Sequence, residues 1–262
     1  MPELPDVETY KRYIDSTSLH KKITKVNDIH NKILENISKN ELKKVLVHNE
    51  LIETARHGKY LFLRITDDHW LVIHFGMTGY VKYFKDIDDK PSHTRLLIKF
   101  ENDFYLAFHN QRLLGKIGFT NDIKNYINKK KLGVDALDIS RSLFQQLLDN
   151  KRGMIKSALM DQSMIAGIGN IYADEILFQS GIHPKTKIHK LTDNDLERVY
   201  RNMQEILDVA IKAKVNTNEF PRTYIIPNRE KDGMCPKGEE KLETVKVNGR
   251  TTYFCPVHQK KK

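Results

Sequence analysis

From residue 60 onward the chain breaks into apolar runs of five or six residues, too short for helices and closely spaced. They are Tyr60 to Ile65, Trp70 to Phe75, Leu96 to Phe100 and Phe104 to Phe108, and a shorter run, Val45 to Val47, precedes them. Turn-prone pieces such as Asp67-Asp68 and Glu101-Asn102-Asp103 separate them. Short apolar strands with turn residues between them predict an antiparallel β-sandwich or barrel, here ending near Phe119. A leading helix comes first. Pro5 suits the first turn, Asp6 and Glu8 suit the positive end of the helix dipole, and Val7, Tyr10 and Ile14 share a face.

A stretch without periodicity, containing Lys129-Lys130-Lys131, then gives way to a helical texture. Ser140 is placed to cap a helix carrying Leu143, Leu147 and Leu148. A second pattern runs from Met154 to Met160. After Gly167-Ile168-Gly169, Asn170 is expected to cap a third helix that stops at Gly181, with Pro184 beyond. Thr192 opens the longest helix, whose inner face holds Leu196, Val199, Met203, Ile206, Leu207 and Ala210. Near the end, Lys241 to Val247 and Arg250 to Cys255 read as strands joined by Asn248-Gly249, a strong hairpin signal. The fold class is therefore α+β. The expected divisions are a sandwich over 1–121, a linker over 122–136, a helical domain over 137–228 and a hairpin domain over 229–262.

Composition narrows the function. The 262 residues carry a net charge of +10, which calls for an anionic partner or a merely basic soluble protein. The longest apolar runs are too short to span a bilayer. No secretory pattern follows Met1, and two cysteines do not make a disulfide framework. An intracellular, reducing location is expected: cytoplasmic and nucleoid-associated in a prokaryote, nuclear in a eukaryote. Nothing signals oligomers, so a monomer is the default.

Several blocks together resemble one family, in order along nearly the whole chain. They are MPELPDVE at 1–8, RHGKYL at 56–61, HFGMTG at 74–79, NQRLLG at 110–115, IAGIGNIYADEILFQSGIHP at 165–184 and GRTTYFC at 249–255. In these the chain is similar to the formamidopyrimidine-DNA glycosylase and endonuclease VIII family. The resemblance implies a helix-two-turn-helix in the helical domain and a zinc-finger-like terminal hairpin. It implies base-excision repair by a bifunctional glycosylase and abasic-site lyase acting on duplex DNA.

The chemistry suits that expectation. Loss of Met1 would free the secondary amine of Pro2. A free α-amine holds its proton less tightly than lysine, so more of it is nucleophilic at neutral pH. Attack on the sugar yields an iminium that cannot shed its charge by losing a proton from nitrogen, a lasting electron sink for β,δ-elimination. With Met1 attached, the Pro2 nitrogen is an amide and cannot attack. By itself the Pro-Glu pair is an ordinary helix lead-in; the family match raises it. The resemblance gives Glu3 proton transfers and brings Lys59 to the damaged nucleotide. It assigns Met77, Arg112 and Leu114 to the gap left by a flipped base, Asn170 to a phosphate contact, and Arg250 to phosphates beside the flipped nucleotide. Many relatives carry glutamate where Asp6 stands and an aromatic where Leu114 stands. Those changes point to a weaker second proton relay and a looser opposite-base preference.

The tail departs most. The family has four cysteines in two CxxC knuckles, whereas this chain has Cys235-Pro-Lys-Gly238 and Cys255-Pro-Val-His258. Cys235, Cys255 and His258 are candidate ligands and Gly238 offers none. A structural zinc takes four. Three ligands with water, a contribution from Glu239 or Glu240, and no metal at all stay open. No catalytic cofactor is expected. Relatives that prefer oxidised purines often carry a long loop before the first knuckle; here the segment from Phe220 to Met234 is short, so the resemblance favours oxidised pyrimidines and formamidopyrimidines over 8-oxoguanine. The competing reading is a non-catalytic damaged-DNA-binding protein, against which stands the retention of Pro2, Glu3 and Lys59.

Overall fold

The computed structural model describes residues 1–66, 68–149 and 151–261. Asp67, half of one expected turn, lies outside them. The chain divides into two compact units, one made of residues 1–2 and 6–130, the other of residues 3–5 and 131 to the C-terminus.

The first unit is a sandwich. One antiparallel sheet has the order β1-β6-β7-β5, built from β1 (Ile23–Asn27), β6 (Thr94–Phe100), β7 (Tyr105–His109) and β5 (Tyr80–Phe84). The other has the order β2-β3-β4-β8, from β2 (Leu51–His57), β3 (Tyr60–Ile65), β4 (Trp70–His74) and β8 (Lys116–Thr120). Alternate residues build the core: Leu61, Leu63 and Ile65 on β3, Leu71 and Ile73 on β4, Leu96, Ile98 and Phe100 on β6, Leu106 and Phe108 on β7. The period of two places them on one face of each sheet. Helix α1 (Leu4–Thr17) adds Val7 and Ile14 to the same core.

One local expectation is corrected here. Val45 to Val47 is no strand, because helix α2 (Lys39–Leu46) takes up Val45 and Leu46 and Val47 is its C-cap. Ser38 and Glu41 form a reciprocal capping box there, and Leu42 and Leu46 bury one face. Within the stretch expected as a linker, residues 123–129 form a short helix. Asp122 caps α3 (Ile123–Lys129) through Asn125 N at 3.0 Å. Tyr126 sets its ring edge-on to Tyr60 and Phe62, and Lys130 pairs with Glu35 at 2.9 Å. A helix that buries so little shows no apolar periodicity in the sequence.

In the second unit, α4 (Arg141–Leu148), α5 (Ile155–Leu159), α6 (Asn170–Gln179) and α7 (Asp193–Lys212) share one core. The expected caps Ser140 and Thr192 do cap α4 and α7. A short parallel pair, β9 (Val134–Asp135) and β10 (Ile165–Ala166), closes the entry to α6. The tail forms a hairpin of β11 (Glu243–Val247) and β12 (Arg250–Phe254). Asn248 and Gly249 both have positive φ, 48° and 73°, as a two-residue turn of this kind requires. No described helix is long and apolar enough to cross a membrane.

Candidate functional site

The N-terminal residues of the chain meet the start of α6. Glu3 is only 1% exposed. Its Oε2 accepts from Gly169 N at 2.7 Å and Tyr172 N at 3.3 Å, and its Oε1 accepts from Ile171 N at 2.9 Å. Leu4 N donates to Gly167 O at 3.0 Å. These amides belong to a helix start, where N–H groups lack partners and the dipole favours negative charge. The turn needs its glycines. A Cβ at Gly169 would run into the Glu3 carboxylate, and Gly167, at φ +118°, lies against the Leu4 side chain. Gly169, not Asn170, occupies the cap position, and its missing side chain is replaced by a carboxylate 166 residues away.

Asn170 is instead the first helical residue, and its amide has two protein partners. Oδ1 accepts from Lys156 Nζ at 2.7 Å and Nδ2 donates to Thr251 O at 2.9 Å. Lys156, fully buried, also donates to Thr252 Oγ1 and pairs with Asp174 at 2.6 Å. Burial pushes its ammonium below the usual lysine range, and Asp174 opposes that shift. Asp174 in turn accepts from Arg229 and from Tyr253 N. This network pins β12 to the start of α6 and leaves Arg250, one residue before Thr251, exposed. Arg250, Asn248, Lys151 and Met154 border a cavity of about 480 Å³. Sequence reasoning missed Lys156, although a lysine inside the apolar run from Met154 to Met160 was a signal for it.

In the sandwich, the β4–β5 and β7–β8 loops are locked together. Buried Asn110 donates from Nδ2 to Phe75 O at 2.8 Å and accepts from Gly115 N at 3.1 Å. Gly76, at φ +62°, has room for no Cβ, which would sit 2.5 Å from the backbone of Leu114 and Gly115. Arg112 N reaches Thr78 Oγ1 at 3.4 Å. Met77 and Leu114 consequently stand on adjoining loops, 40% and 47% exposed. Arg112 is exposed as well.

Lys59 follows Gly58 (φ +53°) in the tight β2–β3 turn and is 8% exposed, unlike an ordinary turn lysine. Arg56 braces the turn, bonding Gly58 O at 3.1 Å and Glu8 at 3.0 Å. Close by is His74, which the sequence reading had not singled out. Burial, assisted by the Lys59 charge, pushes His74 down to about 4, so the ring is neutral at physiological pH. Its Nδ1 accepts from Gly76 N at 3.3 Å. Pro2 is half-buried behind Met1.

In the tail, donor atoms of Cys235, Cys255 and Glu240 lie within 4.8 Å of one another. His258, expected as a ligand, is not among them; its Nε2 donates to Phe178 O at 2.9 Å and its ring packs on Phe178. His258 contributes its backbone instead, N donating to Cys255 Sγ at 3.4 Å. Lys237 N donates likewise to Cys235. Two sulfurs and a carboxylate are a donor set that zinc accepts, one short of four.

Residues 1–117 match the family model described as the formamidopyrimidine-DNA glycosylase N-terminal domain, and residues 132–221 match the H2TH domain model. A sandwich followed by helix-two-turn-helix and a terminal hairpin defines the class, a DNA-binding glycosylase fold of DNA repair. The chain is 32% identical to the formamidopyrimidine-DNA glycosylase of Pelotomaculum thermopropionicum over the whole of both chains. It is 32% identical to that of Mycoplasma genitalium over 97% of this chain and 94% of the relative. Among solved structures it is similar to the Lactococcus lactis enzyme in complex with DNA containing an abasic site, with a TM-score of 0.88 and 30% identity over 99% and 100% of the two chains. A complex of the same enzyme with Fapy-dG DNA superposes with a TM-score of 0.87, at 29% identity and the same coverage. The chain belongs to the formamidopyrimidine-DNA glycosylase and endonuclease VIII family.

Proposed function

We propose that the protein is a bifunctional DNA glycosylase and abasic-site lyase that attacks with the amine of Pro2 once Met1 is removed. The observation that carries this reading is the anchoring of Glu3. Three backbone N–H groups grip its carboxylate, so the residue bonded to Pro2 has a fixed place. A nucleophile on an otherwise loose terminus gains from such positioning.

The reaction follows from the residues. The Pro2 nitrogen bonds to the anomeric carbon as the glycosidic bond breaks, and the departing base takes up a proton. Opening of the sugar ring gives the iminium. Loss of a proton from the adjacent carbon expels the 3′ phosphate, a second elimination expels the 5′ phosphate, and water releases Pro2. Glu3 handles protons as the group beside the amine. Lys59 supplies a cation to the damaged nucleotide. Met77, Leu114 and Arg112 fill the stack from which the base is flipped. Arg250 grips phosphate, and Asn170 does so with the amide hydrogen left over after its bond to Thr251. The reaction uses no cofactor; zinc would serve only to hold the terminal hairpin.

For substrates we favour formamidopyrimidines and oxidised pyrimidines over 8-oxoguanine. The first rests on the Fapy-dG complex of the Lactococcus lactis enzyme. The second rests on the short segment after α7. Glu175 accepts from Ile226 N at 2.9 Å and Gln179 donates to Thr223 O at 2.9 Å, which ties that segment down close to the helices.

Borohydride trapping tests the core of the proposal. Protein whose mass shows Met1 removed is mixed with a duplex bearing one abasic site. A covalent protein–DNA band is expected, retained in Lys59→Ala and absent in a Pro2→Gly variant that keeps Met1. No band from Met1-free protein would leave a damaged-DNA-binding protein on the same scaffold.

A further inference from the structure

The terminal hairpin lacks two of its family's four knuckle cysteines, and the structure shows what stands in for one of them. A Cβ built at Gly238 would run into Oε2 of Glu240. The glutamate carboxylate thus reaches back over the glycine into the space a side chain at 238 would otherwise enter. The same carboxylate closes the cluster with Cys235 and Cys255, whose donor atoms all lie within 4.8 Å. The knuckle geometry is intact around it. Cys235 N donates to Glu240 O at 2.8 Å and Gly238 N to Cys235 O at 3.3 Å, while backbone N–H groups of Lys237 and His258 point at the two sulfurs. The second missing cysteine has no such replacement, because neither ring nitrogen of His258 joins the cluster.

We infer that Glu240 is the third ligand of a structural zinc site made of Cys235, Cys255 and Glu240, with the fourth position open to a solvent molecule or an incoming chelator. Zinc takes thiolate and carboxylate oxygen together, and an open position is what distinguishes such a site from a closed four-ligand one. The site is therefore more labile than a four-cysteine knuckle. Two thiolates and a carboxylate leave a net charge of −1 around the ion, with Lys237 beside Cys235 to offset it.

Zinc content and exchange test this without reference to DNA chemistry. The full-length protein should hold one zinc by elemental analysis and surrender it readily to a coloured chelator. Glu240→Ala should weaken zinc by at least about tenfold, the scale on which even outer-sphere changes act, whereas Glu239→Ala should not. Gly238→Cys combined with Glu240→Ala should slow chelator transfer relative to the parent. Its cobalt form should show stronger thiolate charge-transfer absorption, from three sulfurs in place of two. The inference is overturned if the parent holds no stoichiometric zinc, or if folded Glu240→Ala binds it as tightly as the parent. It is equally overturned, should Glu240→Ala fail to fold, if the double variant exchanges zinc no more slowly than the parent.

Discussion

Glu3 illustrates how much one side chain can settle. Its neighbour is the proposed nucleophile, yet its own contacts are those of a helix cap supplied from the other end of the sequence. Replacing it by alanine strands three helix-start N–H groups, at a cost of roughly 1–3 kcal/mol. His74 gives a pH signature of its own. Its folded-state value is pushed from 6.5 down to about 4, so below pH 6.5 the unfolded chain takes up a proton that the folded chain refuses. Stability should therefore fall as pH drops from 6.5 to about 4, by up to about 3 kcal/mol, and flatten below. Urea melts of the parent and His74→Gln across that window check this. Identical slopes would show that the ring is not held neutral.

Elements matter next, above all the paired loops of the sandwich. A single buried amide, Asn110, satisfies Phe75 O on one loop and Gly115 N on the other. Asn110→Ala should destabilise the sandwich by roughly 1–3 kcal/mol for each group left orphaned. It should also cut lesion excision more than abasic-site trapping, because the display of Met77 and Leu114 depends on that lock. Equal losses in the two assays would separate the loops from base extraction. The hairpin and α6 are joined in a similar way through Lys156, Asp174 and Asn170, a buried charged cluster in which removing one member leaves the others unpaired.

For the molecule as a whole, the net charge of +10 sets the terms of DNA binding. Affinity for undamaged duplex should fall linearly on a log–log plot against salt, by about 0.9 for each phosphate neutralised. Arg250→Ala should weaken binding to all sequences alike and make that slope shallower by about one. An unchanged slope would mean that Arg250 grips no phosphate. The charge itself says nothing of chemistry, since any nucleic-acid binder would show the same dependence.

The division between what was legible and what was not follows the range of the interactions. Short apolar runs bounded by turn residues made β3, β4, β6 and β7 readable. Period-3.6 runs and local caps did the same for α4 and α7, and Asn248-Gly249 for the hairpin turn, since each depends on residues a few positions apart. Local signals also misled. The three residues Val45 to Val47 outweighed the capping box at Ser38 and Glu41, and α3 buried too little to leave a pattern. The candidate residues could be named because the family blocks are contiguous, but their surroundings could not. That a carboxylate at position 3 caps a helix at 170, that Asn110 joins two loops, and that Glu240 rather than His258 faces the cysteines are outcomes of burial. A buried polar group must find a partner wherever the fold brings one, and sequence distance places no limit on that choice.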